Sequence, residues 1–158
     1  MTQCFTIIVG DRKFQVDAEK YAGESEFMRA LMGGSFIESS KGSVTLHDVS
    51  VEDWTGFHDY IEGAEELGTH NAEAIYYIAD RFGFERVRAE VESRILLELK
   101  LRQQPDWDEF AFRMLHLINR IKDKRSRLFR EKLISMLERS RINVGRSIQE
   151  GRVTYRHY

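Results

Sequence analysis

FTIIVGDRKFQVD, residues 5–17, decides what kind of fold this chain builds. Phe5-Thr6-Ile7-Ile8-Val9 is β-branched and aromatic, Gly10-Asp11 follows it, and Lys13-Phe14-Gln15-Val16-Asp17 alternates polar with apolar. Two such runs joined by a Gly-containing turn predict a β-hairpin. Beyond it, Glu26 to Met32 carries apolar residues at 27, 28, 31 and 32, one face of a helix, and Gly33-Gly34 stops it. Ser43-Val44-Thr45-Leu46-His47 alternates again and predicts a third strand.

From there on the periodicity is helical. Ser50 is placed to cap a helix with Asp53 as its partner three residues on, and Trp54, Phe57, Tyr60 and Ile61 form the apolar face. Asn71 is expected to cap the next helix, in which Ile75, Ile78, Ala79 and Phe82 share a face and Gly83 ends it in the left-handed region. Val87, Val91, Ile95 and Leu99 carry a further helix on a four-residue step. Pro105, the only proline, marks a break. Asp106-Trp107-Asp108-Glu109 then opens a helix with acids at its positive end, and Phe110, Met114, Ile118 and Ile121 give its stripe. A polar turn at Asp123–Ser126 leads to a last helix carrying Leu128, Phe129, Leu133, Met136 and Leu137. After Ile142 the periodicity fades. Strands cluster early and helices late, so the fold class is α+β. The expected segments are 1–104 as the main domain, 105–142 as a helical extension, and 143–158 as a basic, flexible tail.

The bulk numbers set the limits. A chain of 158 residues, 42 % apolar and 32 % charged, suits one globular domain with an extension. A single cysteine, Cys4, excludes an internal disulfide framework and fits a reducing compartment. No apolar run approaches the ~20 residues of a membrane span, and the N-terminus lacks a basic signal region. A cytoplasmic and/or nuclear location is expected, with no membrane partner. The net charge of -2 hides a split: residues 1–110 hold 11 Lys/Arg against 22 Asp/Glu, and residues 111–158 hold 13 against 4. The arginines are spread through helical sequence, which favours a basic segment packed on an acidic domain over a free arm. Arg152, Tyr155, Arg156, His157 and Tyr158 interleave bases with aromatics, as single-strand binders do, but no nucleic-acid module accompanies them, and nucleic acid is not the expected partner.

Catalytic chemistry finds little support. The five histidines are scattered without metal-ligand spacing, Gly10-Asp11-Arg12-Lys13 lacks the rest of a phosphate loop, and no nucleophile elbow is present. No enzyme activity, metal or cofactor is expected.

The ordered set Phe14 to Ser25, Phe27, Gly34-x-Phe36-x-Glu38-Ser39, Val44-x-Leu46-x-Asp48-Val49, Phe57, Asn71 and Ala79-Asp80-Arg81-Phe82-Gly83 resembles a BTB/POZ domain over about residues 4–100. The resemblance implies a short three-stranded sheet flanked by a helical cluster, with the helices after Pro105 as an additional helical pair. It also implies a protein-interaction module. In BTB adaptors of ubiquitin ligases an apolar-x-Glu motif before the third strand contacts the cullin, and Phe36, Ile37 and Glu38 fit it by position. A cullin is therefore the expected partner. Where the family pattern has His, Arg and Leu, this chain has Asp17, Ala18 and Tyr21, which argues against a corepressor pocket. Phe5, Ile7, Val9 and Phe27 are the expected residues of a self-association surface, giving a homodimer or higher oligomer. The alternative for them is ordinary core. A homo-oligomerising scaffold or transcription-regulator module without a ligase role is the second reading.

Overall fold

Alternation along the first two strands sorts their side chains between core and solvent. The structure, a computed structural model, describes residues 4–33, 42–101 and 107–139, and the backbone alone of 142–147 and 152–157. Strand β1 (Cys4–Val9) pairs antiparallel with β2 (Arg12–Asp17), and Phe5 faces Val16 while Ile7 faces Phe14. Both pairs lie on the buried face, so a one-residue slip would turn them to solvent. The turn between the strands needs Gly10, whose φ is +57°. Strand β3 (Ser43–Leu46) runs parallel to β1, placing Val44 beside Ile7 and Leu46 beside Val9. β1 is thus the central strand of a three-stranded sheet.

The parallel pairing demands a crossover, and a helical hairpin supplies it. Helix α1 (Ala18–Glu24) is one the periodicity did not indicate; Asp17 opens it by accepting from the backbone N–H groups of Glu19 and Lys20. Helix α2 (Glu26–Gly33) follows after one extended residue, Ser25. The buried Ser25 hydroxyl donates to the Phe82 carbonyl at 2.6 Å and accepts from Met28 N–H at 3.1 Å, so it caps α2 and ties it to a distant helix end.

Helix α3 (Val51–Ile61) begins as its sequence predicts, with the Ser50 hydroxyl accepting from Asp53 N–H. Helix α4 (Ala72–Phe82) departs from prediction at its start. Asn71 makes no side-chain cap; its amide accepts from Gly68 N–H and donates to the Glu66 carbonyl, tying down the preceding loop. Gly83 ends α4 at φ +71°, as expected. Helix α5 (Glu85–Leu101) buries Val87, Val91, Ile95 and Leu99. The aromatic centre of the core lies between these elements: Phe57 and Phe84 have centroids 4.8 Å apart, Trp54 and Phe57 5.5 Å, and Tyr21 and Phe84 5.8 Å.

Helices α6 (Trp107–Arg120) and α7 (Arg127–Glu138) form the additional pair, joined by a short 3-10 turn that Asp123 caps. They are built into the rest. The buried apolar residues form one cluster running from Phe5 to Leu137, and the Phe129 ring lies 4.8 Å from that of Tyr76 on α4. The segment after Ile142, expected to lack regular structure, contains strands β4 (Ile142–Ser147) and β5 (Arg152–His157), paired antiparallel, with β4 beside α7 and β5 beside α6. Each strand holds only two apolar positions, too few to stand out in a basic stretch.

Candidate interaction surface

Polar groups between α4, α5 and the 3-10 turn lock the helical pair in place. The Ser126 hydroxyl, fully buried, donates to the Asp80 carboxylate and accepts from Arg88 Nη1 at 3.2 Å. The Tyr76 hydroxyl sits 2.8 Å from both Ser126 Oγ and Glu92 Oε1, and its single proton serves one of them. Burial pushes the Asp80 carboxyl above its ordinary range, while the Ser126 hydrogen bond and Arg88 act the other way. A second set of contacts joins α6 to α3 and α4. Arg120 pairs with Asp53 and, at 3.2 Å, with Glu73, and its guanidinium lies 3.6 Å from the centroid of the Tyr77 ring. His116 also meets Glu73, Arg113 donates to the His70 carbonyl at 2.6 Å, and Arg125 reaches Glu85 at 2.6 Å. In each of these ion pairs a base from the basic half meets an acid of the acidic half. Part of the charge split is thus an internal seam.

On the outside, one cleft gathers an aromatic and several charges. It measures about 530 Å³ and lies where α1, α2, the α4–α5 junction and the 3-10 turn meet. Phe27, on the first turn of α2, is 49 % exposed there, although its ring contacts Phe82 at 5.6 Å. The Arg81 guanidinium covers the Phe82 ring at 5.5 Å. Arg29 uses its Nε on the Ala22 carbonyl. Glu24, Glu26, Glu85 and Arg125 complete the charged lining. Such a cleft offers an apolar anchor inside a ring of both charge signs, a combination that suits a protein surface better than a small molecule.

The predicted site residues fall into three groups. Phe5, Ile7 and Val9 are at most 2 % exposed and belong to the core; their side chains point into the buried face of a strand paired on both edges, so they cannot form a self-association surface. Phe27 is exposed and stands in the cleft. Phe36, Ile37 and Glu38 lie outside the described residues. The ends of their segment are fixed: Met32 is buried on α2, and the Gly42 carbonyl accepts from Thr6 N–H at 3.0 Å at the start of β3. Sequence reading missed Arg29 and Arg125 as cleft residues, because nothing local brings positions 29, 81 and 125 together.

Among the described residues no group of three or more His, Cys, Asp or Glu could hold a metal ion, and no helix is long and apolar enough to cross a membrane. The histidine–carboxylate contacts, His58 with Asp59 and His116 with Glu73, have no nucleophile beside them in any described contact.

No family model matches the chain, and no curated protein does. Among solved structures, the BTB (Tramtrack and Bric a brac) domain of human gigaxonin is similar at 16 % identity over 55 % of this chain and 72 % of that one, with a TM-score of 0.44. A likeness at that level decides neither fold nor function.

Proposed function

We propose that this chain is a protein–protein interaction module, acting as a BTB-type adaptor that binds a cullin scaffold of a ubiquitin ligase. The observation that carries the reading is the exposed Phe27 in a charged cleft, on the helix that runs directly into the segment holding Phe36-Ile37-Glu38. A half-exposed aromatic gains by burial in a partner, at about 25 cal/mol per Å² removed from water, and so makes an anchor. Arg29, Arg81 and the cleft acids would steer a partner of matching charge and reject mismatched ones. Glu38 adds selectivity on the same grounds, since its burial is favourable only where a donor meets it. The docked α6–α7 pair supports the reading too: Arg125, from the turn that joins the two helices, lines the same cleft.

The test is calorimetric titration of the chain with a cullin N-terminal domain. Binding is expected, weakened at least about tenfold by Phe36→Ala with Glu38→Ala, which corresponds to one anchor of about 1.4 kcal/mol or more. No binding, or binding that the double variant leaves intact, removes the cullin reading. The second reading, a self-associating scaffold without ligase role, is favoured by the same exposed Phe27, which a two-fold contact between α2 helices would cover.

A further inference from the structure

We propose that copies of this chain assemble head to tail, the basic Leu128 face of one docking in an acidic groove of the next. The inference is independent of the cullin reading and uses neither the Phe27 cleft nor α2. The groove, of about 620 Å³, lies between the end of α3 with its following turn and the outer face of α5. Tyr60, Leu67 and Leu97 give it an apolar floor; Glu65, Glu66 and Glu90 give it negative charge, and Arg94, the base in its lining, is engaged by Glu98 at 2.8 Å. Leu97 is 49 % exposed, and Leu101, one turn further along α5, is 47 % exposed. Glu90 is engaged by the Tyr60 hydroxyl and by Arg86. The carboxylates of Glu65 and Glu66 meet no donor among the described residues. Apolar floor and unmatched acids together call for an apolar side chain flanked by bases.

The chain itself carries that counterpart. Leu128, on the first turn of α7, is 64 % exposed, the most of any large apolar residue among those described. Lys124 precedes it by four residues and Lys132 follows it by four, and neither ammonium is paired among the described residues. Lys132, four residues on along α7, shares Leu128's side of the helix, and Lys124 adds a second base on the 3-10 turn that leads into it.

A single copy cannot close the two surfaces on each other. Ser126, two residues before Leu128, contacts Arg88 on α5, while the groove uses Glu90 of the same helix. Two residues are about 200° apart around a helix, so α7 starts on the opposite flank of α5 from the groove. Complementary surfaces on opposite flanks give a heterologous contact, which propagates from copy to copy rather than closing as a two-fold dimer.

Sedimentation velocity on the full chain tests this. The wild type is expected to grow beyond a dimer with concentration and to revert toward monomer at high salt. A groove variant, E65R with E66R, and a face variant, Leu128→Asp, alter only exposed side chains, and each alone is expected to weaken self-association about tenfold or more. Mixed one to one, they should form a capped heterodimer, because each retains the surface that the other lacks. Phe27→Ala should leave all of this unchanged, which separates the contact from a two-fold one at α2. A wild type that stays monomeric, an assembly indifferent to both variants, or a mixture that forms no heterodimer overturns the proposal.

Discussion

Ser126→Ala should destabilise the protein far more than the loss of one small hydroxyl suggests. The hydroxyl donates to Asp80, a carboxylate 6 % exposed, and accepts from Arg88 Nη1 at 3.2 Å. A hydrogen bond to a charged group is worth about 1.5–3 kcal/mol, and a buried acceptor left short of donors adds its desolvation cost. Arg88 retains Glu85, and Tyr76 retains Glu92. The expected loss is therefore about 2–4 kcal/mol, or roughly 5–15 °C in Tm for a chain of this size. The loss should depend on pH. Burial raises the Asp80 pKa above its unfolded value, and the Ser126 hydrogen bond opposes that rise. The folded state thus holds this proton more tightly than the unfolded one. The cost of the ionised carboxylate is fully present above the folded pKa and vanishes below the unfolded carboxylate range near about 4. Removing Ser126 raises the folded pKa further, so the deficit is full at neutral pH and shrinks on acidification. Urea unfolding of both proteins at several pH values measures it. A deficit below about 0.5 kcal/mol, within the range of an inert surface substitution, or one constant from neutral to acid pH, would refute the role given to this network.

Other substitutions test other parts of the account. Gly83→Ala has space for its methyl, with Ser25 Oγ the nearest atom at 3.9 Å, but must hold φ +71°, so denaturation should show a loss of about 1 kcal/mol that is all backbone strain. Tyr21→Phe removes a fully buried hydroxyl that has no hydrogen-bond partner among the described residues, and thermal unfolding should show it neutral or up to about 1 kcal/mol more stable. Arg120→Ala removes pairs to Asp53 and Glu73 and the contact with the Tyr77 ring; a loss of about 1–3 kcal/mol is expected, smaller in high salt, because the group is only partly exposed.

The architecture was legible in the sequence wherever a single period ran uninterrupted. The Phe5–Asp17 hairpin, the four-residue step of α5 and the stop at Gly83 each state their own conformation locally. Helix α1 was not legible, because AEKYAGE buries only Ala18 and Tyr21 and shows no stripe; its signal was Asp17, which has the right acceptor for a cap. Asn71 misled for a related reason: its amide has both donor and acceptor, and the loop before it offered partners for both. The strand residues Phe5, Ile7 and Val9 look alike whether they face a core or a partner, and only the pairing of β1 on both edges assigns them to the core. Asp80 and Ser126 could not be read as partners, since 46 residues separate them and neither breaks the apolar pattern of its own helix. The cleft was half legible: Phe27 and the Arg81-Phe82 pair stood in recognisable positions, whereas Arg29 and Arg125 join them only through the crossover at Ser25 and the docking of the 3-10 turn.

Amide hydrogen exchange on the chain, free and saturated with a cullin N-terminal domain, tests the central claim most directly. The account predicts slowed exchange over residues 26–42 and at the α4–α5 junction around 81–85, with α6 and the β4–β5 pair unchanged. Protection confined to the C-terminal half, or none in 26–42 at saturation, would contradict it.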